Sequence, residues 1–173
     1  VIPKHLESIT AKLEEMGVTV EEYDESVRVI GCDHLNKCNI KTMPHPGFPT
    51  DMQSQFAVLL SIADGTSIIN ESVFDSRYRY VEELRRLGAK ISVDGRIAVV
   101  EGVKELVGAP VKAVDLRAGA AMIIAGLVAR GVTQIDEVEH IERGYEAVVE
   151  KFRSLGADIR VASVPEKVPA KAL

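Results

Sequence analysis

Several features that mark particular classes of protein are scarce or absent in this chain. It has two cysteines in 173 residues, Cys32 and Cys38, and their spacing is not the Cys-x-x-Cys pattern of many zinc and redox sites. A zinc site or a disulfide framework is therefore disfavoured. Neither a P-loop nor a dinucleotide-binding glycine motif occurs. Gly119 and Gly126 lie inside an apolar stretch, where close helix packing is the commoner reason for glycine.

An excess of basic charge and a long apolar run are also lacking. The net charge of -5 and the pI near 5.4 disfavour binding to a nucleic-acid backbone. The most apolar run, residues 118–129, is bracketed by Arg117 and Arg130 and falls well short of the roughly 20 residues that a membrane helix needs. The first residues show no signal-peptide pattern. We therefore expect a cytoplasmic protein that binds neither membrane nor nucleic acid.

What the chain does contain is an internal repeat of about 70 residues. Three amphipathic segments end in Gly17, Gly88 and Gly156, at separations of 71 and 68 residues. Because glycine in the left-handed conformation commonly ends a helix, each segment predicts a helix followed by a short strand, at 18–20, 91–93 and 159–161. A second strand is predicted at 27–30 and at 97–100, the latter after the hairpin signal Asp94-Gly95.

Two further stretches, residues 52–63 and 116–129, are apolar on nearly all faces, which predicts helices enclosed by other elements. Strand-like residues 67–69 and 133–135 follow them. The predicted fold class is α/β, with repeated βαβαββ units arranged around a shared axis, buried helices inside and sheets outside. We expect residues 1–162 to form part of one such domain and residues 163–173 to form a loosely held C-terminal tail.

Each apolar stretch begins with an aspartate, and an arginine follows it at a matching place: Asp51, Gly65 and Arg77 in one copy, Asp115, Gly131 and Arg143 in the other. If the repeats are related by approximate symmetry, equivalent ends of their helices and strands would bring these charges to one site. Asp51 fits a proton acceptor, but an acid in a first helical turn is also favoured by the helix dipole. Thr50 and Gln53 around it match a capping box.

Arg117 is unusual because a cation in the first turn of a helix meets the positive end of the dipole. Its partner is either Asp115 or an anion held by Arg117 together with the free N–H groups of the helix. Arg77 and Arg143 are either solvated turn residues or, with Arg117, the lining of a pocket for a substrate with a carboxylate and phosphates.

Four segments together resemble the bacterial UDP-N-acetylglucosamine enolpyruvyl transferases: HPGFPTDMQSQF (45–56), FDSRYRYVEELRRLGA (74–89), DLRAGAAMIIAGLVARG (115–131) and HIERGYEAVVEKFRSLGA (140–157). The resemblance runs from about Lys4 to Ile159. It implies an inside-out α/β barrel with two domains of βαβαββ units. It also implies transfer of the enolpyruvyl group of phosphoenolpyruvate to the 3-hydroxyl of UDP-N-acetylglucosamine, the first committed step of peptidoglycan synthesis, without a metal or other cofactor.

The resemblance also implies residue roles. Asp51 matches the carboxylate that contacts the sugar hydroxyl and takes its proton, and Val73 matches a residue whose backbone contacts the UDP-sugar. The charged groups around phosphoenolpyruvate and the tetrahedral intermediate are matched by Arg77, Asp115, Arg117 and Arg143.

The chain corresponds to less than half of such an enzyme, and Val1 is not Met, so we expect a C-terminal part that lacks its N-terminal domain and has little turnover alone. Neither Cys32 nor Cys38 matches the reactive cysteine on the mobile loop of the absent domain. The alternatives are a 3-phosphoshikimate enolpyruvyl transferase and a non-catalytic anion-binding module of the same fold. Apolar surface left uncovered could also make the chain a homodimer.

Overall fold

Two nearly enclosed helices lie at the centre of the molecule, and short sheets lie outside them. The computed structural model describes residues 1–163. Its helices are α1 (Glu7–Glu15), α2 (Gln53–Ser61), α3 (Val81–Arg86), α4 (Leu116–Val128), α5 (Glu139–Glu142) and α6 (Val148–Ser154). Its strands are β1 (Thr19–Glu22), β2 (Val27–Ile30), β3 (Ile40–Lys41), β4 (Thr66–Asn70), β5 (Lys90–Asp94), β6 (Ile97–Glu101), β7 (Pro110–Lys112) and β8 (Gln134–Asp136).

The middle repeat contains every element of the predicted unit. Its sheet has the strand order β3-β4-β6-β5, in which β3 and β4 are parallel and the other neighbours are antiparallel. The parallel pair requires a crossover, which α2 supplies. Ile69 of β4 pairs with Ile40 on one side and Ala98 on the other, and all three side chains are buried. Residues 71–80 then lead from β4 to α3.

The third repeat begins in the same way, with the parallel strands β7 and β8 joined by α4. Helix α4 packs against α2 and α5. Gly119 permits the approach of α5, because an added Cβ at this position would lie 2.4 Å from Cγ1 of the buried Ile141. The helices inside and the sheets outside confirm the predicted α/β architecture.

The first repeat consists of α1 and the antiparallel hairpin β1–β2. Helix α1 joins the core through Met16 at its C-terminal end, whose side chain is fully buried. The hairpin has less cover, because Val29 and Ile30 of β2 are exposed. The sheet of this repeat therefore has two strands where the middle repeat has four.

Two local expectations are wrong. No strand forms at 159–161. In the middle repeat the corresponding strand β5 pairs only with β6, and the equivalent of β6 would fall after residue 163, outside the described residues. The capping box at Thr50 is also absent: a 3-10 helix, Thr50–Met52, precedes α2, and neither helix has a side-chain cap. The predicted tail, residues 163–173, lies outside the described residues except for Ser163.

A candidate active site at the ends of the buried helices

One carboxylate and two guanidinium groups meet where α2 and α4 begin. Asp51 lies in the 3-10 helix before α2, and Arg117 lies in the first turn of α4. Arg117 donates from Nε to Oδ1 of Asp51 at 2.7 Å and from Nη2 to Oδ2 at 2.9 Å. Arg77 donates from Nη2 to Oδ1 at 2.7 Å. We call Asp51, Arg77 and Arg117 the charged cluster; the middle and third repeats both contribute to it.

Asp115 determines where α4 begins. Its side chain accepts hydrogen bonds from the backbone N–H groups of Arg117 and Ala118, so Asp115 is the N-cap of this helix. The partner that offsets the unfavourable position of Arg117 in the first turn is the carboxylate of Asp51, which is 66 residues away. Asp51 thus occupies the place that an anionic ligand would take, and the carboxylate of Asp115 serves the backbone.

Arg77 reaches the cluster from the segment between β4 and α3. Its guanidinium lies over the ring of Phe74, 5.0 Å from the ring centroid. This contact and the bond to Asp51 leave 22% of its side chain exposed. The Asp51 side chain is 55% exposed, so the cluster is open to solvent and accessible to a ligand.

Electrostatics keep Asp51 ionised. The hydrogen bonds from Arg117, with the positive charges of Arg117 and Arg77, hold the pKa of this carboxyl below its usual range despite partial burial. With two positive charges and one negative, the cluster has a surplus of positive charge. It can therefore bind an anion, and once an anion occupies the arginines, the freed carboxylate becomes a better proton acceptor.

The other sequence-predicted residues lie near the cluster but are not joined to it. Arg143 is exposed and makes no ion pair within residues 1–163. Its neighbour Gly144 packs against Leu116, since an added Cβ would lie 2.5 Å from Leu116 Cδ1, so the backbone here lies beside the start of α4. Val73 is half-buried, in the segment that leads to Arg77.

Sequence reasoning missed Glu71, a buried carboxylate one residue after β4 that is 1% exposed. It accepts five hydrogen bonds, from Thr42, Thr50, Gln53, and the backbone N–H groups of Val73 and Phe74. The available signal was the repeat itself, because a glutamate stands six residues after both Gly65 and Gly131.

Tyr145 was also missed. It is half-buried and close enough to the cluster for the charges of Arg117 and Asp51 to act on its pKa, which burial raises overall.

Within residues 1–163 no group of three or more His, Cys, Asp or Glu side chains could hold a metal ion. No helix in that range has the length and apolar character to cross a bilayer.

Comparison with known proteins places the chain in a family. The model of the EPSP synthase (3-phosphoshikimate 1-carboxyvinyltransferase) family matches residues 1–152. A UDP-N-acetylglucosamine 1-carboxyvinyltransferase of Caldanaerobacter subterraneus subsp. tengcongensis is 59% identical over 159 residues, which are 92% of this chain and 38% of that protein. A relative of the same name from Desulfofundulus thermocisternus is 55% identical over 171 residues, which are 99% of this chain and 70% of that protein.

Two solved structures of enolpyruvyl transferases have a similar fold. The enolpyruvyl transferase NikO from Streptomyces tendae is 32% identical with a TM-score of 0.84, over 92% of this chain and 37% of that one. EPSP synthase from Acinetobacter baumannii is 20% identical with a TM-score of 0.67, over 90% of this chain and 37% of that one, and this likeness shows the fold alone.

The chain spans about 38% of the length of several curated relatives that it matches, including those from Caldanaerobacter and Clostridium botulinum. Three findings agree: the family match over residues 1–152, the identity to relatives named UDP-N-acetylglucosamine 1-carboxyvinyltransferase, and the similarity of the fold to that of NikO. The chain therefore belongs to the enolpyruvyl (carboxyvinyl) transferase family.

Proposed function

We propose that this chain forms part of an enzyme that transfers the enolpyruvyl group of phosphoenolpyruvate to the 3-hydroxyl of UDP-N-acetylglucosamine and releases phosphate. The observation that supports this most strongly is the charged cluster, in which one carboxylate contacts two guanidinium groups. Such a site can accept a proton and bind a small anion in the same place. Relatives that are 53–60% identical bear the name of this enzyme.

Each member of the cluster has a role in this reaction. The 3-hydroxyl oxygen forms a bond to C2 of phosphoenolpyruvate, the hydroxyl proton passes to Asp51, and an acid in the rest of the enzyme adds a proton at C3. The bond from C2 to the phosphate oxygen then breaks, and a proton returns from C3 to the conjugate base of that acid, which restores the double bond. Arg77 and Arg117 stabilise the charge on the phosphate and carboxylate of the donor and of the tetrahedral intermediate.

Three neighbouring residues also contribute to the proposed site. Backbone groups at Val73 contact the UDP-sugar, and Asp115 and Arg143 face the donor and the intermediate. Arg143 begins from an exposed position beside the start of α4, so its side chain must turn towards the cluster when the donor binds.

The rest of the enzyme completes the substrate site. Because the chain spans about 38% of several relatives, we propose that an N-terminal domain supplies further anion-binding groups and the closing loop. The chain alone then has little turnover. The complete enzyme would act in the cytoplasm, in the first committed step of peptidoglycan synthesis.

A chimera tests this proposal. In the Caldanaerobacter relative, the 159 matching residues are replaced by those of this chain, and phosphate release from phosphoenolpyruvate is measured with UDP-N-acetylglucosamine or with shikimate 3-phosphate. We expect turnover with the nucleotide sugar in the chimera and the parent, and almost none in the chain alone. Turnover with shikimate 3-phosphate instead would indicate the sibling activity, and an inactive, folded chimera beside an active parent would indicate a non-catalytic module.

A further inference from the structure

We propose that Glu71 is a positioning residue that holds Asp51 and Arg77 in contact, and its kinetic consequences rest on the function proposed above. Within residues 1–163, Glu71 makes no hydrogen bond or ion pair with either member of the pair. It acts on the backbone that presents each of them, through hydrogen bonds to residues on both sides of the contact.

The two oxygens of Glu71 bind different segments. Oε1 accepts from Oγ1 of Thr42 at 2.8 Å and from the backbone N–H groups of Val73 and Phe74 at 2.9 and 3.0 Å. Oε2 accepts from Oγ1 of Thr50 at 2.9 Å and from Nε2 of Gln53 at 3.2 Å. One carboxylate therefore holds the start of the segment that ends in Arg77. It also holds Thr50 and Gln53, which lie on either side of Asp51.

These bonds hold the segments firmly because Glu71 is buried without a counter-charge. Its donors are all neutral, and no cationic side chain in the described residues forms an ion pair with it. A buried carboxylate needs such donors to remain in the protein interior, so moving either segment away would leave it unsatisfied. The carboxylate thus resists separation of the segments that present Asp51 and Arg77.

The third repeat provides an internal comparison. Glu137 is the equivalent of Glu71, but its side chain is 40% exposed and binds Lys112, from Nζ to Oε1, at 2.6 Å. The hydroxyl donors of the middle repeat have no counterparts there, because Ala113 and Val114 stand at the positions of Thr42 and Thr50. Arg117 stands at the position of Gln53, but it donates to Asp51 and not to Glu137.

The contacts of the equivalent arginines, Arg77 and Arg143, differ in the same way. In the repeat with the buried glutamate, Arg77 binds the aspartate of its own repeat. In the repeat without it, Arg143 is exposed and forms no ion pair with Asp115 among the described residues. The arginine thus meets the aspartate only where the glutamate and its donors hold the intervening segment.

The test uses the active chimera with Glu71→Ala and, as a matched control, Glu83→Ala. Glu83 is also buried, at 6% exposed, and also accepts a backbone N–H, from Lys112 at 2.9 Å, but it makes no hydrogen bond or ion pair to the charged cluster. We expect Glu71→Ala to lower kcat per folded enzyme by about tenfold or more, because a misplaced reacting group is costly. Glu83→Ala should lower Tm and leave kcat within about twofold, as expected for a residue that acts on stability alone. Equal kcat losses in the two variants would overturn the proposal.

A second variant covers the case in which Glu71→Ala does not fold. Thr50→Val removes only the hydroxyl that joins Glu71 to the residue before Asp51. We expect a smaller loss of kcat, about threefold to tenfold, since four of the five bonds remain. An unchanged kcat in folded Thr50→Val would contradict the proposal.

Combination with Asp51→Asn and Arg77→Ala distinguishes positioning from general damage. If Glu71 acts through Asp51 and Arg77, adding Glu71→Ala to a variant that carries both Asp51→Asn and Arg77→Ala should lower kcat by less than about twofold, because residues that act as a unit are not additive. A full further loss would overturn the proposal.

A readout that needs no activity separates this proposal from the proposed function. In a crystal structure of the Glu71→Ala chimera, the Arg77–Asp51 contact should be lost and the Arg117–Asp51 contact kept. Rescue by Glu71→Gln should restore the former, since Gln53 can turn its unpaired Oε1 towards the new amide. A retained Arg77–Asp51 contact in Glu71→Ala would refute the positioning role, whatever the chimera catalyses.

Discussion

At the scale of single residues, Asp51 has a double role. Without substrate it occupies both arginines, so an anionic donor has to compete with it. Binding of the donor would remove the contacts that lower the pKa of Asp51, and the carboxylate would become more basic when the reaction needs a base. The proton acceptor and the anion-binding groups are therefore coupled.

This coupling predicts the effect of Asp51→Asn. In the chimera, kcat should fall by about a hundredfold or more because the proton acceptor is lost. The KM for phosphoenolpyruvate should not rise, since the neutral amide competes less well for the arginines. Steady-state kinetics measure both values. The matched control is Asp75→Asn, which removes an exposed carboxylate paired with Arg96, and a large rise in KM for the donor in Asp51→Asn would contradict the argument.

Glu71 predicts a dependence of stability on acid pH. Burial would raise its pKa, but the hydrogen bonds from Phe74, Thr42, Val73 and Thr50 outweigh burial and hold the pKa below the usual range of a glutamate. A depressed carboxyl pKa contributes stability that is present above the unfolded value and lost as pH falls through the folded one. Thermal unfolding from pH 6 down to pH 3 should show a smaller fall in Tm for Glu71→Gln than for the wild type; identical slopes would contradict it.

At the scale of elements, local sequence patterns predicted the buried helices and the central hairpin correctly. The stretches that are apolar on all faces became α2 and α4, and the Asp94-Gly95 turn joins β5 and β6. The predicted capping box at Thr50 was wrong because the hydroxyl is turned towards Glu71, to which it donates at 2.9 Å, and not towards the N–H groups of the helix. Local sequence contains the helix N–H groups, but Glu71 comes close only in the folded chain.

Helix α4 contains two glycines that differ in their surroundings. A Cβ at Gly119 would lie 2.4 Å from Ile141 Cγ1, whereas a Cβ at Gly126 would lie 3.2 Å from Cβ of Thr133. Gly119→Ala should therefore destabilise the protein by about 1 to 3 kcal/mol through overpacking. Gly126→Ala should stay within about 1 kcal/mol of the wild type, because the better helix propensity of alanine offsets the tighter contact. Chemical denaturation of both variants checks the difference, and equal losses would show that the α4–α5 contact adapts.

At the scale of the whole molecule, repetition explains the site only in part. Equivalent element ends did bring Asp51, Arg77 and Arg117 together. The repeat could not show that Arg143 stays outside, because equivalent backbone positions do not guarantee equivalent neighbours. Thr42 and Thr50 donate to Glu71, whereas the third repeat has Ala113 and Val114 at these positions. This difference can be recognised in the sequence only once the folded chain shows which residues meet.

The unequal sheets predict an order of local stability. Strand β6 is paired on both sides and two of its side chains are fully buried, whereas β1 and β2 form an isolated two-stranded hairpin with much of its surface exposed. Two-stranded hairpins are marginal when little packs against them, so they open without global unfolding. Hydrogen exchange followed by mass spectrometry should show slowest exchange at 97–101, fastest at 19–30 and intermediate exchange at 134–136, where β8 pairs only with β7. Equally slow exchange at 19–30 and 97–101 would mean that the hairpin opens only when the central sheet does, and that stability in this chain does not follow strand pairing.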